Sequence, residues 1–191
     1  RFPGNASRLS GLSLAVGVAL ARALNSLGGA GIRLKWPNDV LLARQGEFAK
    51  LAGILIELAS DRRGTQAIIG IGLNLAAPAE ALPQPAAGLT EAGIVADRHQ
   101  VLAAILAELA DVHDVFAVQG FAGLREDWQR FHAWQDLPVE ILGEGAVVQG
   151  VCLGVDADGS LLLDTAQGVE RIFSGDVSLR RSGNGAAEGE P

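Results

Sequence analysis

Three short segments put polar and charged side chains where an otherwise apolar pattern has no structural use for them: Lys35-Trp36-Pro37-Asn38-Asp39-Val40, Lys50-Leu51-Ala52-Gly53-Ile54-Leu55-Ile56-Glu57 and Gly70-Ile71-Gly72-Leu73-Asn74-Leu75. Lys50 opens a run of apolar and small residues, which plants an ammonium at the edge of a dry pocket, where a poorly screened cation attracts carboxylate and phosphate oxygens. Pro37 removes a ladder donor and fixes its own φ, so the chain leaves its sheet there and presents Asn38 and Asp39 at a rigid corner. The Gly70-x-Gly72 pair bares backbone beside Asn74, whose amide offers the donor and the acceptor that an adenine edge needs. Each feature also has an ordinary reading. A lysine before a strand is usually a solvated end, Asn-Asp at a corner is usually a turn, and Gly-x-Gly in a strand more often marks a bulge or tight packing than a ligand.

The elements that must position these residues are legible from periodicity. Ser10 to Leu27 is rich in Ala, Leu and Val with small residues interspersed, a buried helix stopped by Gly28-Gly29-Ala30-Gly31. Ile32 to Trp36, Val40 to Ala43, Leu51 to Ala59 and Gln66 to Leu75 are branched runs expected to form one antiparallel sheet, the last two joined at Asp61-Arg62-Arg63-Gly64. Ala76 to Gly88 is Pro- and Ala-rich and predicts a surface loop. At Asp97-Arg98-His99-Gln100 a capping box opens an amphipathic helix with Val101, Leu102, Ile105, Leu106, Leu109, Val112 and Phe116 on its apolar face. A further helix from Phe121 to Trp134 would align Phe121, Leu124, Trp128 and Phe131.

After Leu137-Pro138 the pattern changes to five short strand-like runs, Val139 to Leu142, Val147 to Val155, Leu161 to Asp164, Val169 to Phe173 and Val177 to Leu179. Turns at Gly143-Glu144-Gly145, Asp156-Ala157-Asp158-Gly159, Gln167-Gly168 and Ser174-Gly175-Asp176 separate them, and about forty residues so arranged predict a small closed barrel. The chain therefore divides into residues 1–136, a barrel at 137–181 and a polar tail at 182–191, with Ser182 to Pro191 expected to be mobile.

Composition bounds the function. With 191 residues, 49% of them hydrophobic, the chain can bury a substantial core. The single cysteine, Cys152, lies in an alternating apolar stretch and is expected to be a buried thiol in a reducing, cytoplasmic setting. A net charge of −7 without a basic cluster argues against nucleic acid as a partner. The apolar run Leu12 to Leu24 is too short and too interrupted for a membrane span. His99, His113 and His132 share no metal-ligand spacing and are expected as solvated helix residues.

Taken together, the three segments resemble the central signature of the biotin protein ligase family, and the order of the flanking helices and the terminal barrel extends that resemblance over about residues 1 to 181. The resemblance implies an α+β fold: an antiparallel or mixed sheet packed against helices, like the class II synthetase-like catalytic domain of that family but lacking its N-terminal part, followed by a small Src-homology-3-like barrel. It implies formation of biotinyl-5'-AMP from biotin and ATP with Mg²⁺, then transfer of biotin to a lysine of a biotin carboxyl carrier protein. By position, Lys50 would contact the biotin carboxylate and the α-phosphate. Asp39 would hold Mg²⁺ or help to deprotonate the incoming lysine, and the resemblance does not choose between them. Trp36 would wall the pocket, Asn38 belongs to the corner, Gly53 and Ile54 lie where backbone approaches biotin, and Asn74 would contact adenine. A homodimer formed through sheet edges is a further family expectation. The family's strands and glycine-arginine loop upstream of the Leu12 helix have no counterpart in the chain, which leaves a competing reading as a catalytically incomplete structural or binding module. Two weaker readings are lipoyl or octanoyl transfer and a nucleic-acid-binding barrel at 138–181, the latter disfavoured by acidity and few aromatics.

Overall fold

The computed structural model describes residues 1–78, 84–142, 147–173 and 178–181. The expected turns at Gly143-Glu144-Gly145 and Ser174-Gly175-Asp176, the strand start at Val177, part of the loop after Leu75, and the tail from Ser182 lie outside the described residues.

Helix α1, Leu12–Ser26, is buried around most of its circumference because it lies between a sheet and two other helices. The segment Ala6–Ser26, which includes α1, is apolar and long enough by composition to cross a membrane, yet two-thirds of its apolar window is buried inside the fold, as a core helix requires. Its Gly17 faces Leu34 and Ile54, which an added Cβ would meet only at ordinary contact distance, 3.4 and 3.8 Å. The strands β1 (Ile32–Lys35), β2 (Asp39–Arg44), β3 (Glu47–Asp61) and β4 (Gly64–Leu73) form one antiparallel sheet in that order. Strand β3 starts earlier than the sequence pattern suggests, so Lys50 lies within it rather than before it.

Helix α2, Arg98–Gln119, begins with the expected capping box: the Asp97 carboxylate accepts from the backbone of His99 and Gln100, and Gln100 accepts from the Asp97 N–H. Val101, Ile105, Val112 and Phe116 are buried, whereas Leu102 and Leu106 face outward at 54% and 57% exposure. Those two sit beyond the arc that one helix can turn toward α1. The predicted helix over Phe121 to Trp134 is shorter. Gly120, at φ 64°, breaks the chain into a 3₁₀ turn, and α3 covers only Arg125–Phe131. Phe121, Leu124 and Trp128 are buried there as expected, with Phe131 partly so.

The last five strands, β5 (Pro138–Leu142), β6 (Val147–Val155), β7 (Leu161–Thr165), β8 (Gly168–Ile172) and β9 (Ser178–Arg181), are antiparallel in the order β8-β7-β6-β5-β9 and make the small SH3-like barrel. It shares a continuous core with the first unit. Trp36 Nε1 donates to the Gly159 carbonyl at 3.1 Å, Arg125 Nε to that of Val155 at 2.7 Å, and Ser10 Oγ to that of Asp158 at 2.6 Å.

At this seam the histidine expectation fails for one residue. His99 and His113 are exposed, but His132 is buried at the end of α3, tilted against the Trp128 ring at 4.5 Å, with Nε2 at 3.8 Å from Cys152 Sγ. Burial pushes its pKa down to about 4, outweighing Gln135 and Asp136, and the same burial pushes the Cys152 thiol up to about 11. A histidine whose folded pKa lies below its unfolded value takes up protons preferentially in the unfolded chain, so its penalty grows as pH falls through the window from 6.5 to 4. Urea unfolding should show about 2 kcal/mol less stability at pH 5 than at pH 7 from this residue, and His132→Gln should flatten that difference.

Candidate active site

The corner is a hairpin. Lys35 and Asp39 face each other across β1 and β2, and Trp36-Pro37-Asn38 form its tip. Asn38 straps the tip to β3: its carbonyl accepts from the Ile54 N–H, and its Nδ2 donates to the Ile54 carbonyl, both at 2.9 Å. Ile54 thus contributes main chain to the site, while its side chain is buried toward α1.

One irregularity decides where Lys50 goes. Asp39 pairs with Gly53 and Val40 with Ala52, but Leu41 pairs with Lys50, so Leu51 is an extra residue in β3. In an unbroken strand Lys50 and Gly53, three apart, would point to opposite faces; the bulge brings them to the same one, with Asp39. The side chain then lies across Gly53, where a Cβ would sit 3.3 Å from Lys50 Cε and 3.4 Å from Nζ. The Lys50 main chain is equally fixed. Its N–H donates to the Pro85 carbonyl, and its carbonyl accepts from the Ala87 N–H and from Asn74 Nδ2. The loop after β4 therefore returns to flank Lys50, and Asn74 stands directly beside it.

Lys50 Nζ lies 2.6 Å from Asp39 Oδ1, and Lys35 Nζ lies 2.8 Å from Oδ2. Burial on its own would raise the Asp39 carboxyl, but the two ammonium groups more than offset that and hold it below its ordinary value. Lys35 is a site residue that the sequence reading does not single out. A signal for it exists: Lys35 and Asp39 bracket a proline-containing tip at a separation that makes them cross-strand partners.

Beside Lys50 opens a hollow of about 500 Å³ lined by Asn38, Lys50, Gly53, Ile54, Leu55, Gly70, Ile71 and Gly72. It is wetter than expected, since the Lys50 side chain is 41% exposed. Gly53 and Gly72 are paired across β3 and β4 in a ladder without a register shift, so Gly70 and Gly72 mark no bulge. Nor do they relieve crowding: a Cβ at Gly72 would meet nothing closer than 3.9 Å, and one at Gly70 nothing closer than 3.6 Å. Missing side chains that the chain itself has no need to omit leave floor for a ligand. Gly72→Val, favoured in a strand, should keep the melting temperature while weakening ligand binding at least about tenfold, checked by calorimetric titration of biotin and of ATP.

Asn38, Lys50, Gly53 and Ile54 thus meet at one hollow, with Asp39 beneath Lys50 and Asn74 behind it. Trp36 is fully buried under the barrel turn and lines a second hollow of about 530 Å³, which shares Asn38, Ile54 and Leu55 with the first and runs between α1, the Pro37 tip and residues Asp158, Gly159 and Ser160.

Residues 3–74 match the model of the biotin/lipoate A/B protein ligase family, and residues 138–180 match that of the biotin protein ligase C-terminal domain. A biotin--[acetyl-CoA-carboxylase] ligase of Paracoccus denitrificans is 32% identical over 93% of this chain and 76% of its own length. The chain belongs to the biotin protein ligase family. The crystal structure of the Aquifex aeolicus biotin protein ligase matches with a TM-score of 0.79 at 30% identity over 92% of this chain and 76% of that one. The same enzyme in complex with biotin and ATP matches with a TM-score of 0.77. The bifunctional ligase/repressor BirA of Salmonella typhimurium is 33% identical over 89% of this chain, which spans only 53% of that relative.

Proposed function

We propose that the chain activates biotin with ATP and passes it to a lysine of a biotin carboxyl carrier protein in the cytoplasm. In the first step a biotin carboxylate oxygen attacks the α-phosphorus and pyrophosphate leaves. In the second the carrier amine attacks the acyl carbon of biotinyl-AMP, AMP leaves and the amine loses a proton. The observation that carries the reading is the Lys50 ammonium fixed over a glycine floor. Two anions must meet in the first step, and a preplaced cation offsets their repulsion as charge moves onto the departing phosphate. The Aquifex enzyme's complex with biotin and ATP supports these substrates. The match of residues 138–180 to a biotin ligase C-terminal domain favours biotin over lipoyl or octanoyl groups.

Asp39 suits neither of its expected roles. Each oxygen already faces an ammonium group, and two neighbouring positive charges disfavour Mg²⁺ there, while a carboxylate held well ionised is a weak proton acceptor. Among the described residues no group of three or more His, Cys, Asp or Glu side chains could hold a metal. Any Mg²⁺ carried on the ATP phosphates belongs to the substrate. Exchange of labelled pyrophosphate into ATP tests the function. It should require biotin and persist with the carrier omitted; exchange that ignores biotin, or none at saturating substrates, overturns the reading.

A further inference from the structure

We propose that Lys35 sets the charge of this site: by neutralising Asp39 it leaves Lys50 as an uncompensated cation for an anionic ligand. The inference deepens the ligase reading and rests on Lys50 being the anion-binding group. The chain contains two lysines, and every other strongly basic side chain is an arginine. Both lysines end on the same carboxylate, one on each oxygen.

The two are not equivalent. Lys35 is 10% exposed, is locked opposite Asp39 in the β1–β2 ladder, and has its ammonium 5.5 Å from the centre of the Trp134 ring, which confines it further. Lys50 is 41% exposed and lies along the rim of the glycine-floored hollow. Asp39 itself is only 8% exposed. Two ammonium groups against one carboxylate leave the cluster one positive charge in excess, and the exposed member presents it. Without Lys35 the same place would hold a closed neutral pair. A ligand could then recruit Lys50 only by stripping a buried carboxylate of its partner, which is strongly unfavourable. With Lys35 in place, Asp39 stays compensated when Lys50 turns to the ligand. Lys35 is thus a positioning residue that acts through Asp39 and does not touch the substrates.

Calorimetric titration of the full chain with ATP and with biotin tests this on the unmodified protein, Lys35→Met, Lys35→Arg and the double variant Lys35→Met/Asp39→Asn, each first shown to be folded by its thermal melt. Lys35→Met should bind roughly 10- to 100-fold more weakly, as expected when the anion-binding ammonium is left in a closed pair with a poorly screened carboxylate. Lys35→Arg should retain most of the affinity. The double variant restores the excess positive charge and should recover to within about threefold of the unmodified chain, a recovery that a purely structural lysine could not produce. Lys35→Met binding at full affinity, or a double variant at least as weak as Lys35→Met, overturns the inference while leaving the ligase reading intact. Failure of the unmodified chain to bind either ligand overturns both.

Discussion

Lys50→Ala is expected to lower biotin-dependent pyrophosphate exchange by about 10²–10³-fold while shifting the melting temperature little. The activity loss follows from removing one preorganised electrostatic contact to the reacting phosphate, worth roughly 2.7–4 kcal/mol in other enzymes. The small effect on stability follows from geometry. The side chain is 41% exposed and lies over a glycine, and its ion-pair partner, Asp39, keeps Lys35. The hydrogen bonds that fix this part of β3 come from the main chain of residue 50 and survive truncation. Lys50→Arg should rescue little, because a planar, forked guanidinium cannot place its charge where the compact ammonium sits beside Asp39 Oδ1 and over Gly53. Exchange rates and thermal melts of the two variants check both halves of the expectation.

Trp36→Ala should instead be lost through folding. Trp36 is fully buried, and its indole N–H is the bond that ties the Pro37 tip to Gly159 on the barrel. Truncation leaves a cavity and an unpartnered carbonyl, which together cost about 3–5 kcal/mol, or on the order of 10 °C in melting temperature for a chain of this size. Trp36→Phe keeps most of the volume and should cost nearer 1 kcal/mol, the net worth of the missing hydrogen bond. Urea unfolding of the two variants separates the packing contribution from the bond. Exchange activity lost in parallel with the Trp36→Ala destabilisation would mark the barrel as a support for the catalytic corner.

The elements are readable where local chemistry and tertiary packing agree. The capping box at Asp97 and Gln100, the turn at Arg62-Arg63 and the strand alternation of the barrel each specify their own geometry. They are less readable where distant residues decide. His132 carries no sequence mark of burial; it is buried because Cys152 and Trp128 close over it from β6 and α3. Leu102 and Leu106 satisfy a helical spacing but fall outside the stripe that α1 covers. In the site, Lys50, Asn38, Gly53 and Asn74 are legible as unusual residues in apolar strands, and the structure gathers them. The bulge at Leu51 is not, and the pairing of Lys35 with Asp39 is signalled only by their spacing around the Pro37 tip. Register is a property of two strands, and one extra residue in one of them reverses which face a side chain joins.

Because the chain has only two lysines, labelling lysine with ¹³C at Cε gives two signals, one of which disappears in Lys50→Ala. Titration with biotin and ATP should move the Lys50 signal saturably and by more than that of Lys35, as its ammonium exchanges Asp39 for the substrate anions. A Lys50 signal that stays in its ligand-free position while the chain turns substrate over would contradict the role given to that charge.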